Sequence, residues 1–244
     1  VSITPVDRLM DGYARAHYRY GEAIAATIGR QFVTVGAVDD QAAAVFIERA
    51  SSTAAAGRDG VARLSSTFLA RQVAMMSDGE IRTVEIPPGA LETEALRSGL
   101  TDEQLWMRPM ITARAALAAG VVFAAALAKG QAVAAMTAHT DVALAQRWAA
   151  RHALADDERV IGTRRVPGWS SCTMCAGNAD RVYRVLELLP IHSACRCTVS
   201  AVVAGRDPAG RRNEVTARAA AKPPAERVEI DHSTEIAPSL VEVT

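Results

Sequence analysis

The sequence predicts a mainly α protein: an Ala-rich helical bundle, a small C-terminal cysteine- and histidine-bearing module of short strands plus a short helix, and an extended tail. Three observations predict this class. Alanine supplies 49 of the 244 residues, and it has the best helix propensity while burying little area per residue. Apolar residues recur at helical spacing over much of residues 4–155. Aromatic residues make up only 5% of the chain, so an all-β sandwich or barrel is not expected. Half of the residues are hydrophobic, which also excludes a disordered chain. Small residues permit close helix contacts but thin cores, so a partner surface is expected to supply part of what the core lacks.

Taken in order, the first helix opens at Thr4, an N-cap, with Pro5 at N1 and Asp7 at N3 near the positive end of the dipole. Leu9, Tyr13, Tyr20, Ile24 and Ile28 then form its buried stripe. Asp39 and Asp40 start a second helix through Val45, Phe46 and Ile47, which Gly57 and Gly60 are expected to interrupt. Val61, Leu64, Phe68, Leu69, Val73 and Met76 resume the helical period. Asp78-Gly79 and Pro87-Pro88-Gly89 mark a connector. Thr101 and Gln104 form a capping box that begins another helix, with Pro109 as an early kink. Two further helices are expected over 110–128 and 131–155, jointed at Gly130 or Thr137–Thr140. Arg159–Val166 reads as a short strand, Ala176–Leu188 as a short helix and Thr198–Val203 as a second strand. The chain thus divides into an N-terminal helical region (1–76), a connector (77–100), a central helical region (101–158), the Cys/His module (159–203) and a polar, proline-bearing tail (204–244).

The longest uncharged apolar stretch, Ala115–Ala128, would rise about 21 Å as a helix, short of the roughly 30 Å hydrocarbon core of a bilayer. It reads as a buried helix. The opening residues lack a charged region followed by an apolar run, so a soluble chain made in the cytoplasm is expected, with no membrane partner. Formal net charge is zero, so no global field draws the protein to nucleic acid. Locally, residues 159–222 carry a net charge of +7, residues 223–244 carry −4 and the remainder −3. Arg159, Arg164, Arg165, Arg181, Arg184 and Arg196 surround the cysteines. They read either as a face for DNA phosphates or an acidic protein, or as a solvated basic face.

All four cysteines lie within 26 residues, as Cys172-x2-Cys175 and Cys195-x-Cys197, with His192 ahead of the second pair. A Cys-x2-Cys turn brings two thiolates to one tetrahedral ion, and two of His192, Cys195 and Cys197 complete a four-coordinate site. Structural zinc bound by four of Cys172, Cys175, His192, Cys195 and Cys197 is therefore expected. Disulfides or reduced thiols are the alternative, and gain weight if the chain leaves a reducing compartment. Trp169 and Tyr183 are expected to pack over this cluster. Four thiolate or imidazole ligands leave no open position for catalysis. No Gly-x-Ser-x-Gly elbow, phosphate loop or Gly-x-Gly-x-x-Gly occurs, so no enzymatic activity is expected.

The run Arg164-Arg165-Val166, Cys172-x2-Cys175, Asp180-Arg181-Val182-Tyr183 and Pro190-Ile191-His192-x2-Cys195-Arg196-Cys197 resembles the C-terminal motif of phage head morphogenesis proteins, the MuF-like minor capsid proteins. The resemblance covers roughly residues 100–203, and its specific part is 164–197. One departure is visible: the family often has a proline shortly after the final Cys-x-Cys, where this chain reads Thr198-Val199-Ser200. The resemblance implies a minor head protein of a tailed phage. Such a protein is made in the host cytoplasm, enters the virion in several copies and associates with the portal or inner capsid. It would assist head assembly, DNA packaging or delivery. The implied partners are portal protein, major capsid protein and the packaged double-stranded DNA. A zinc-module nucleic-acid binder and a zinc-supported nuclease are the alternative functions. The tail, +3 over 204–222 and −4 over 223–244, is expected to act as a docking arm.

Overall fold

The computed structural model describes residues 4–167, 173–187, 192 and 195–210. Helix α1 (Pro5–Thr34) begins as expected: Thr4 accepts from the Asp7 amide, and the Asp7 carboxylate accepts from the Thr4 amide at 2.8 Å. Helix α2 (Asp40–Ser77) is capped by Asp39, which accepts from the Ala42 amide at 2.8 Å. A four-residue helix, α3 (Thr93–Leu96), lies in the connector. Helix α4 (Asp102–Ala118) starts on the Thr101–Gln104 capping box and runs on through Pro109. Helix α5 (Phe123–Leu154) is the central one, packing against α1, α2 and α4.

Two expectations about glycine are corrected. Gly57 and Gly60 do not interrupt α2, which is continuous over 38 residues. A Cβ at Gly60 would overlap the ring and hydroxyl of Tyr20, and one at Gly57 would sit 3.4 Å from Ile24. These glycines let α1 approach α2, and the packing gain outweighs a helix-propensity cost of about 1 kcal/mol each. Gly130 likewise lies inside α5, where a Cβ would overlap the Phe32 ring and come within 2.9 Å of the Pro109 carbonyl. The break between α4 and α5 falls instead at Gly120, whose φ of +79° suits glycine. Hence Ala115–Ala128 is not one buried helix. It spans a helical hairpin whose tip exposes Val122 and Phe123.

Alanine does what its abundance implies. Ala25, Ala43, Ala50, Ala54, Ala113, Ala134 and Ala138 are buried where the helices meet, and larger residues fill the gaps. At one end Phe46 lies edge-on to Phe32 and Trp106, at centroid distances of 5.1 and 6.5 Å. At the other end Met10, Tyr13, Phe68, Leu69, Val73 and Leu154 pack against the module. Among the described residues no helix is long and apolar enough to cross a membrane.

The module is an antiparallel sheet in the order β2-β1-β3, formed by β1 (Val160–Val166), β2 (Val182–Tyr183) and β3 (Thr198–Val203). Both expected long strands form. The helix expected over Ala176–Leu188 does not. A short helix α6 (Thr173–Gly177) ends there, and Val182 and Tyr183 pair instead with Arg164 and Thr163. On β3, Val199, Ala201 and Val203 alternate toward the bundle. Arg165, Thr163 and Val160 lie opposite them on β1 and share that face. The free edge of β3 is covered by α2: Gln72 accepts from the Ala201 amide at 2.9 Å and donates to Ser200 Oγ at 2.6 Å, with both side chains fully buried. Residues 204–210, the start of the expected tail, fold back on the module, with Ala209 buried and Asp207 paired to Arg164. Residues 211–244, and the docking role expected of them, lie outside the described residues.

A polar cluster ties the connector to the bundle. Asp141 on α5, 1% exposed, accepts from Arg58 at 3.0 Å and from Arg97 at 3.2 Å, and Arg97 also donates to the Thr137 carbonyl.

Candidate metal centre

Cysteine and histidine side chains converge where α6 and the approach to β3 meet the end of α5. Cys175 comes from α6, while His192 and Cys195 come from the segment leading into β3. Their ligand atoms all lie within 4.8 Å of one another. The Cys175 and Cys195 sulfurs are 3.8 Å apart, and Cys175 Sγ lies 3.2 Å from His192 Nε2. Metal–sulfur bonds of about 2.3 Å in a tetrahedron give an S–S edge of about 3.8 Å, which is the separation found. A disulfide would need about 2.05 Å. The three residues thus form a group able to hold a metal ion. Cys197, 1% exposed, lies beside them in the same buried cluster. Cys172 and Trp169 lie outside the described residues, and Tyr183 packs into the junction core with Val166 and Val199 rather than over the cysteines.

The donor chemistry fits a thiolate-binding ion. Hydrogen bonding with Cys197, supported by the Arg147 guanidinium, holds the Cys195 thiol down at about 4 against the opposing effect of burial. Two guanidiniums enter the cluster from behind. Arg165 on β1 donates to Cys175 Sγ at 3.3 Å and approaches Cys195 Sγ at 3.8 Å. Arg147 on α5 donates to Cys195 Sγ at 3.5 Å and to the Cys197 carbonyl at 3.2 Å. Sequence reasoning missed Arg147. The signal was its register: it falls between Ala143 and Ala150 on the buried stripe of α5, where a charged side chain needs a reason.

Arg147 also links the cluster to the bundle through buried hydrogen bonds. It donates to Gln146 Oε1 at 2.9 Å, Gln146 donates to the Tyr13 hydroxyl at 2.8 Å, and that hydroxyl bonds Ser65 at 2.8 Å. Burial pushes Tyr13 up to about 12, so it stays a neutral phenol in this chain of contacts.

The six arginines grouped by sequence meet different surroundings. Arg165 is buried with its head among the thiols. Arg159 is held by Asp157 and the Glu80 carbonyl. Arg164 pairs with Asp207 and the Asp180 carbonyl. Arg196 bridges to Glu22 on α1 at 3.1 Å and lies 5.0 Å over the Tyr18 ring. Arg181 covers Tyr183 at 4.7 Å, and Arg184 is exposed. No protein-family model, curated protein or solved structure matches this chain.

Proposed function

We propose that this chain is a minor capsid protein of the head-morphogenesis type, whose cysteine–histidine centre is a structural zinc site that fastens the module to the helical bundle. The observation carrying the zinc reading is the convergence of Cys175, His192 and Cys195 at tetrahedral-edge spacing, with Cys197 beside them. Zinc suits this donor set, because thiolate and imidazole ligands at that spacing are its usual closed, four-coordinate environment. The fourth donor comes from Cys172 or Cys197. A closed site leaves no position for a reacting water, so the role is structural and the chain has no turnover of its own.

The head-protein reading is supported by the ordered motif from Arg164 to Cys197. The construction of the bundle also agrees with it. Its helices meet through alanines, and its α4–α5 hairpin presents an apolar tip, as suits a protein that works within an assembly. The partners are the portal and the inner capsid, and the location is the virion. The test is to purify assembled particles from the producing host and identify this chain by mass spectrometry, counting copies per portal. A small fixed number of copies agrees with the reading. Absence from particles, with the chain abundant in the lysate, sinks it.

A further inference from the structure

We propose that Arg147 is the counter-charge of the anionic, thiolate-rich metal centre and raises its affinity for the ion. The proposal rests on the metal-site reading and names the residue that balances its charge. Arg147 is 3% exposed, and a guanidinium stays charged under all ordinary conditions. A buried charge needs an opposite charge as well as hydrogen bonds. Among the described residues no carboxylate pairs with Arg147. Its acceptors are the Ala143 and Cys197 carbonyls, Gln146 Oε1 and Cys195 Sγ. The thiolates are thus the anions it has.

Charge counting separates a metal centre from disulfides. A pair of disulfides is neutral and would leave Arg147 buried with no anion to face. Three thiolates and one imidazole carry one negative charge, and four thiolates carry two. Both of these match a site into which Arg147 and Arg165 direct their guanidiniums. Because Arg147 belongs to α5 and not to the module, the same contact ties the centre to the bundle. Arg147 acts through the ligands and is a positioning residue.

The test compares the full chain with its Arg147→Met and Arg147→Lys variants, using zinc affinity by chelator competition and the absorption spectrum of the cobalt-substituted protein. Outer-sphere partners of metal ligands typically alter affinity by about 10–100-fold. Arg147→Met should lower zinc affinity about tenfold or more with the helical circular dichroism unchanged, and Arg147→Lys should recover most of the loss. In the unaltered chain, cobalt should show the charge-transfer intensity of three or four thiolates. Unchanged zinc affinity in a folded Arg147→Met variant overturns the proposal, as does a cobalt spectrum of two thiolates. If Arg147→Met fails to fold, the zinc affinity of Arg147→Gln decides in its place, and an unchanged affinity overturns the proposal. A chain that binds no metal at all overturns the zinc reading itself, a result separate from these.

Discussion

Replacing Asp141 by alanine strands two arginines in the middle of the bundle. In the intact chain its carboxylate is fully enclosed, with one oxygen taken by Arg58 at 3.0 Å and the other by Arg97 at 3.2 Å. Breaking a buried pair by removing one partner costs about 3–5 kcal/mol, because the remaining charge loses its compensation. Two features place this case near the lower end. Arg58 keeps Asp102, 3.9 Å away, and Arg97 keeps the Thr137 carbonyl at 3.0 Å. We therefore expect a loss of about 3 kcal/mol, with Asp141→Asn losing less because one neutral acceptor survives. At about 2–4 °C per kcal/mol for a domain of this size, the alanine variant should melt about 6–12 °C lower. Urea and thermal unfolding of the full, metal-loaded chain, followed by circular dichroism, measures both. A loss under about 1 kcal/mol would mean that the arginines find other partners or water, and would refute the view that this cluster fastens the connector to α5.

Two further outcomes follow from buried polar groups. Burial, with help from Arg147 and His139, pushes His17 down to about 3, whereas the unfolded chain binds that proton near pH 6.5. The unfolded state then holds more protons between those values, so stability is full above about pH 6.5 and falls by up to about 1.4 kcal/mol per pH unit below it. His17→Gln should flatten that acid limb by one proton in urea titrations, and an unchanged slope would show that His17 is not neutral in the fold. Gln72→Ala leaves the Ala201 amide and Ser200 hydroxyl unpaired at a buried sheet edge, for a loss of about 2–3 kcal/mol. Hydrogen exchange at the Ala201 amide should accelerate, and unaltered protection there would mean that water replaces the glutamine.

What sequence reasoning found correctly was local in origin. The caps at Thr4, Asp39 and Thr101 depend on residues three positions apart, so they are visible in the chain itself. Both long strands of the module were visible for the same reason. Gly57, Gly60 and Gly130 were misread because helix propensity is a property of one residue, while the reason for each glycine is a ring from another helix. The α4–α5 turn was missed because alanine runs on both sides of Gly120 look alike, and only its positive φ separates two helices there. Clustering of the cysteines located the site, but grouping arginines by charge hid their different fates. Arg165 is buried among thiols while Arg184 is exposed, and Arg147, far away in sequence, comes within 3.5 Å of the Cys195 sulfur, against 3.3 Å from Arg165 to Cys175.

The most direct test of the account is the metal content of the full chain purified from reducing cytoplasm. A four-ligand site predicts about one zinc per chain. Removal by a chelator should cost the β1–β3 module its hydrogen-exchange protection while the helical bundle persists, since structural zinc contributes on the order of 10 kcal/mol to small folds that depend on it. One zinc per chain, lost together with that protection, is the result the account predicts. A metal-free chain with two intact disulfides and a fully protected module would contradict it.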